Sequence, residues 1–291
     1  MGLRVKFNMI LISVAILGMA LSGYVSQRIL HQNAREEVLQ MAGLIMESAL
    51  AVRGYTIEEI RPLLITDIAN TFVPQMVPAY AAHQNIKRLR QHYPDYKYKE
   101  ATLNPTNPAS RATEWETEIV ETFRNNKQKH ELIGTHESAT GNNLYMARPI
   151  TIKKQSCLAC HSTVEAAPPS MLARYGTSHG FGWKMGETVG AQIVSVPMKL
   201  ALSRADTAFR TFMLSTAIIF GLIILILNIL LSIIVLNPIR KISSHAEVIS
   251  LGKLETPELK VKSHDEVGVL ITSVNRLRRS LVNSMKMLGK E

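Results

Sequence analysis

The chain has 291 residues, room for about two ordinary domains, and its 46% hydrophobic and 19% charged content excludes a disordered chain. Two long uncharged apolar runs exclude a simple soluble protein, and two cysteines are too few for a disulfide-rich scaffold. The net charge of +10 divides into +2 over residues 1–6, +4 over 28–210 and +4 over 237–291, so no block carries the dense basic stripe of a nucleic-acid binder.

The first apolar run, 7–27, holds 21 uncharged residues. At about 1.5 Å per residue it reaches about 31 Å, enough to cross a hydrocarbon core. It competes with a cleaved signal peptide, for which Ala20-Leu-Ser22 offers a small-residue site. The run is long for such a peptide, so an uncleaved anchor is the preferred reading. Beyond it, Leu30, Ala34, Val38, Met41, Ile45, Ala49 and Val52 recur at helical spacing as a packing stripe. A second face carries Ala42, Met46, Ala49 and Arg53. The segment 70–80 leads into a helix with Ile86 and Leu89, and Tyr93 to Lys99 alternates towards a strand. Trp115, Ile119 and Phe123 mark another helix. Two strands then bracket Gly141-Asn-Asn143, the second running from Leu144 to Ile152.

Both cysteines fall in Cys157-Leu-Ala-Cys160-His161, the Cys-x-x-Cys-His signature of c-type haem attachment. Two thiols one turn apart can form thioethers with the two vinyl groups, and the next imidazole then reaches the iron. A structural zinc site wants a second Cys/His pair, which is absent. A redox dithiol is the better rival, but it does not require the histidine. One motif implies one covalently bound haem c, with Cys157 and Cys160 as thioether positions and His161 as the proximal ligand. Seven histidines (31, 83, 92, 130, 136, 161 and 179) and several methionines lie between the two runs, most of them expected on the surface or in the core. For the second axial position Met46 is the candidate distal ligand, and Arg53, on the same helical face, the candidate propionate partner. A core methionine beside a surface arginine, with an open five-coordinate iron, fits the same residues.

Pro168 to Gly176 reads as a short helix started by proline and stopped by glycine. The last strand, Gly190 to Val196, passes through Pro197 towards the second apolar run, 211–239, whose span is placed at 211–236. Arg4 and Lys6 precede the first span, and Arg240 and Lys241 follow the second, whereas the inner flanks are of mixed charge. The positive-inside rule therefore puts both termini in the cytoplasm and exports 28–210, which in a bacterium means an inner-membrane protein with a periplasmic domain. A long helix leaving one span, a mixed sheet, and a final strand feeding the next span make up the wiring of an α/β (α+β) PAS/Cache-like sensor domain, by analogy.

In 237–291, Ile239, Ile242, Ala246 and Ile249 repeat at 3-4-3 spacing after Pro238. A connector, 252–263, precedes Asp265-Glu266 and a second series of Val267, Leu270, Val274, Leu277, Leu281 and Leu288. Two short heptad helices joined this way are expected to form a parallel bundle with a second copy, and the pattern resembles a HAMP linker. A pair of amphipathic membrane-surface helices is the plainer alternative. Three residues follow Leu288, so the expected reader of the linker is a separate cytoplasmic output protein.

A wider resemblance covers roughly residues 28–200. Leu50-Ala-Val-Arg-Gly-Tyr-Thr56, Tyr96 to Pro105, the haem motif, Tyr175-Gly176, and Gly180-Phe-Gly-Trp183 through Pro197 resemble the single-haem c-type sensor family, whose members have a PAS-like fold. The resemblance implies the same roles for Cys157, Cys160 and His161, and a distal ligand from the N-terminal helix. A family member can carry a cysteine there, and this chain has none. The expected function is a homodimeric, membrane-bound haem sensor responding to redox state or a small ligand. The alternative is a membrane-anchored monohaem electron carrier with a periplasmic redox partner. No nucleophile–base or acid–base constellation stands out, so an enzyme is not expected.

Overall fold

The computed structural model describes residues 2–138, 141–261 and 263–288. They form two compact units, one of Val25–Phe209 and one of Met1–Tyr24 with Arg210–Glu291.

Val25–Phe209 is built around a four-stranded sheet of β1 (Lys97–Thr102), β2 (Leu132–Ser138), β3 (Gly141–Thr151) and β4 (Thr188–Pro197), in the order β1-β4-β3-β2. Every pairing is antiparallel, which makes the domain α+β. Its helices are the C-terminal part of α1 (Leu3–Tyr55), a π-helical turn at Thr56–Ile60, α2 (Arg61–Leu64), α3 (Pro78–Leu89), α4 (Glu114–Asn125), α5 (Gln155–His161), α6 (Pro169–Tyr175) and the start of α7 (Lys199–Leu230).

Both faces of the sheet are covered, so its central strand β4 is buried along most of its length. Tyr98, Leu144, Met146, Val194 and Val196 pack with Ala34, Val38, Ala42, Ile45, Met46 and Ala49 of α1 and with Ala82 and Ile86 of α3. The alternate residues, Ala101, Ala147, Ala191 and Ile193, meet Ile119, Val120 and Phe123 of α4. This period-two division is what a strand buried on both sides requires. Glu116 secures α4 at its start, accepting from the backbone N–H of Thr113 at 2.8 Å and from Lys99 Nζ on β1 at 2.6 Å.

The sequence expectations for α3, α4 and α6 hold, including the glycine stop, where Gly176 takes φ +76°. Two details change. Gly141-Asn-Asn143, expected between the two strands, belongs to β3, paired through Ser138↔Gly141 and His136↔Asn143, because Asn143 is also held by β4 at Pro197. Of the packing stripe of α1, Met41 is 37% exposed, while Ala34, Val38, Ile45 and Ala49 are buried together with Ala42 and Met46. At 100° per residue the buried positions span an arc of about 120°, wide enough to take in both rows. The two faces read from the sequence are therefore one buried face.

Two helical runs, Leu3–Asp67 and Lys199–Ser250, are long and apolar enough to cross a membrane, and the other unit contains the first up to Tyr24 and the second from Arg210. That run passes from α7 through a π-helical stretch, Leu231–Leu236, into α8 (Asn237–Ser250). Within this unit Gly18 faces the ring of Phe220, Gly23 faces Met213, and Asn228 Nδ2 donates to Asn8 Oδ1 at 2.7 Å. Small residues and an interhelical amide pair suit helices packed in lipid.

After Gly252, at φ +82°, an irregular connector leads to α9 (Glu266–Leu288). Asp265 caps α9, its Oδ1 accepting from the N–H groups of Val267 and Gly268. Ile242 and Ile249 are the buried members of the first heptad series, while Leu270, Leu277 and Leu281 of the second stay exposed; the side chain of Leu288 lies outside the described residues. Asn275, 4% exposed, clamps the connector from α9: its Nδ2 donates to Leu259 O at 2.8 Å, and its Oδ1 accepts from Leu259 N at 3.1 Å. Asn275→Leu leaves that peptide unit unsatisfied and is expected to cost about 1–3 kcal/mol. Hydrogen exchange should then show accelerated exchange at the Leu259 amide while the α4 amides keep theirs.

Candidate functional site

The short helix α5 carries both cysteines one turn apart, each half-buried with a free thiol, and ends on His161. Burial pushes the Cys160 thiol up, against the pull of the Arg61 guanidinium and with a further push from Cys157.

The imidazole of His161 is fixed on two sides. Its ring stacks on Trp183, with centroids 4.0 Å apart and planes at 15°. Its Nδ1 lies 2.7 Å from the carbonyl oxygen of Gly180. A carbonyl can only accept, so Nδ1 is the nitrogen that carries hydrogen, and Nε2 keeps its lone pair for a metal. Thr106 Oγ1 stands 3.5 Å from the same Nδ1. Burial holds the imidazole pKa below its usual value; the Gly180 carbonyl opposes this, and the charge of Arg61 reinforces it. The ring is therefore kept neutral, the ligating form.

The loop that supplies this carbonyl is itself clamped. Asn104 accepts from Gly180 N–H through Oδ1 at 3.2 Å and donates to Phe181 O through Nδ2 at 3.2 Å. Trp183 N–H bonds to His161 O at 3.1 Å and Gly182 N–H to Ser162 O at 2.8 Å. Gly180 has φ +88°, and a Cβ there would run into Thr106, so only glycine lets the chain pass this close.

Arg53, two turns beyond Met46, sits near Cys157, yet its guanidinium is engaged elsewhere. Nη1 is 2.5 Å from Oε2 of Glu100 on β1. Oε1 of that carboxylate accepts from Tyr98 Oη at 2.8 Å, and Tyr98 Oη accepts from Gln192 Nε2 on β4 at 3.1 Å. Burial, then the neighbouring Glu100 charge, pushes the Tyr98 phenol well above its usual range. Burial opposes the charge on Arg53, but Glu100 and Tyr98 outweigh it and its pKa rises.

The π-helical turn at Thr56–Ile60 separates Arg53 from Arg61, whose Nη2 donates to Ser156 O at 3.2 Å, just ahead of Cys157. Farther along, Ser170 of α6 donates to Ile68 O, and Tyr175 meets Phe72 edge to face at 5.6 Å, so segment 65–76 is fastened to α6.

The structure thus brings Cys157, Cys160 and His161 together with Arg53 nearby. Met46 lies, fully buried, in the apolar cluster of Ala42, Ile45, Ala49, Leu144 and Val194. Other histidines have separate partners: His31 with Asp206, His83 with Ala79 O, His136 on Trp115. Gly180, Trp183, Asn104, Arg61 and Glu100 take roles that residue order does not assign. The block Gly180-Phe-Gly-Trp183 is visible in the sequence as a family feature, but what it holds is not.

Residues 31–197 match the Tll0287-like family and 230–283 the HAMP domain. The first match takes in more than half of the chain, which therefore belongs to the Tll0287-like family of haem-binding sensor domains and carries a HAMP domain after it. Among solved structures, the chain is similar to the cyanobacterial haem protein Tll0287, with 18% identity and a TM-score of 0.44 over 55% of this chain and 95% of that one. No curated protein sequence matches.

Two substitutions separate the parts of this site. Gly180→Ala should displace the carbonyl from His161, and haem loading on coexpression with a c-type maturation system, read by the pyridine haemochrome, should fall well below wild type. Arg53→Met strands the Glu100 carboxylate and is expected to cost about 3–5 kcal/mol in urea denaturation, most of it recovered when Glu100→Leu is added.

Proposed function

We propose that this protein is a membrane-bound c-type haem sensor that passes a change at the haem to its HAMP domain. The observation that carries the reading is the preparation of α5: two free thiols one turn apart, followed by an imidazole whose Nδ1 is already bonded to Gly180, on the same chain as a HAMP domain. Cys157 and Cys160 would hold one haem through thioethers, and His161 Nε2 would bind its iron. Bound there, the haem supplies an iron that exchanges an electron or takes a small ligand. Trp183 fixes the plane of the proximal imidazole, Gly180 fixes its tautomer, and burial keeps the proton off Nε2. Met46 is the residue proposed for the opposite axial position. Its burial on α1 supports a dry thioether, and the aliphatic packing around it makes this the part of the assignment to test first.

The sheet with helices on both faces, and a last strand separated from α7 by Met198 alone, support the PAS/Cache-like reading. The two long apolar helices and the distribution of basic residues support two spans, cytoplasmic termini and a periplasmic haem domain in a bacterial inner membrane. Leu270, Leu277 and Leu281, 43%, 57% and 39% exposed and spaced 7 and 4 apart along α9, support a second copy packed in a parallel bundle. Such a bundle has closely spaced packing states, which α7 and α8 can bias only if the haem domain holds them differently in its two conditions.

The test uses the full chain with haem attached. Leu277→Cys adds one reporter thiol, because the native cysteines are consumed by the haem. A bis-maleimide should join two copies at different rates in the oxidised and the dithionite-reduced protein, and identical rates would rule signalling out. An anchored electron carrier has no use for α8 and α9; it is the reading left if deletion of 240–291 changes no cellular output while electron transfer persists. The absorption spectrum under carbon monoxide assigns the distal position: an unchanged low-spin spectrum in wild type that opens to carbon monoxide in Met46→Ala makes Met46 a ligand, and an unchanged spectrum in that variant makes it a packing residue.

A further inference from the structure

Two arginines of the N-terminal helical segment approach the haem motif, and their circumstances differ. Arg53 is neutralised: its guanidinium pairs with the buried carboxylate of Glu100, which is tied in turn to Tyr98 and Gln192. Arg61 is half-buried and has no carboxylate within ion-pair distance among the described residues. Its one side-chain hydrogen bond among the described residues, from Nη2 to Ser156 O, anchors it on the first turn of α5. Ser156 directly precedes Cys157, so the guanidinium lies beside the first cysteine of the motif.

The backbone explains how Arg61 comes to face α5. On an uninterrupted α-helix, residues eight apart are about 80° out of phase, so Arg61 would leave the face that carries Arg53. The π-helical turn at Thr56–Ile60 inserts one residue into the repeat and rotates the next residues back by about 100°, which returns Arg61 to that face. Thr56, buried at 2% and bonded through Oγ1 to Val52 O at 2.7 Å, sits at the start of the turn. Pro62, directly after Arg61, has no N–H to give to a continuing ladder. A partly buried guanidinium with an uncompensated charge and unused donors is a site for a carboxylate, and haem brings two.

We propose that Arg61, and not Arg53, is the cation of the haem site: anchored on Ser156, it binds a haem propionate and raises the reduction potential of the iron. This rests on the haem reading above. Reduction removes one positive charge from the iron, so a fixed cation nearby favours the reduced form and its removal lowers the potential.

The experiment compares wild type, Arg61→Gln, Arg61→Lys and Arg53→Gln combined with Glu100→Gln as full chains matured with covalent haem, by spectroelectrochemical titration in detergent, with circular dichroism as the check on folding. The pyridine haemochrome of the wild type comes first: absence of a covalent c-type band there refutes the haem reading itself. Given haem, Arg61→Gln should lower the one-electron reduction equilibrium about tenfold, about 59 mV, with Arg61→Lys in between and the double variant Arg53→Gln, Glu100→Gln displaced less. Loss of haem loading in Arg61→Gln that Arg61→Lys restores also supports the assignment, since a charge is what the two variants differ in. Equal potentials in Arg61→Gln and wild type, a larger shift when Arg53→Gln is combined with Glu100→Gln so that no carboxylate is stranded, or equal loss of haem in Arg61→Gln and Arg61→Lys would overturn it.

Discussion

The bond between His161 Nδ1 and the Gly180 carbonyl is the constraint on which the site depends. It selects one tautomer, leaves the lone pair on Nε2, and commits a backbone segment nineteen residues downstream to the helix that carries His161. The rest of the loop is shaped by it. Gly180 must be glycine because the chain passes against Thr106 at positive φ, Asn104 must hold the peptide on both sides, and Trp183 closes over the ring.

Behind this site runs a second, polar connection. The chain of Arg53, Glu100, Tyr98 and Gln192 links α1 to β1 and β1 to β4 through buried groups that are each satisfied by the next. Buried ionic groups of this kind give little net stability, but they resist sliding, since losing one partner strands another in a dry interior. The strand they reach, β4, is the one that leads into α7. The network is therefore well placed to hold α1 and the last strand in one fixed relation inside the haem domain.

The linker half of the chain is organised differently. Its helices bury little of their own apolar surface, and among the described residues its connector is held by Asn275 on the backbone of Leu259, by Arg278 on Leu254 O, and by Arg278 and Arg279 on the Glu258 carboxylate. A segment held by a few directional bonds, with leucines still exposed, is easier to shift than a filled core.

Much of this is legible in residue order, because it depends on local chemistry. Cys157, Cys160 and His161 stand at the Cys-x-x-Cys-His spacing expected of c-type haem attachment, the apolar runs are long enough to cross a hydrocarbon core, and Pro169 and Gly176 delimit a helix by their own backbone preferences. What tertiary structure decided is whatever joins distant segments or breaks a regular period. The buried arc of α1 is wide enough to take in Ala42 and Met46, so Met46 enters the core instead of forming a separate face. A π-helical turn re-phases Arg61, which no α-helical wheel would place beside the haem motif. Arg53 becomes a partner of Glu100 because β1 crosses α1 there, and the carbonyl that sets the tautomer of His161 comes from a glycine loop whose approach only the folded chain defines. Spacing along the chain determines covalent and helical geometry; which buried charge meets which partner depends on packing in three dimensions.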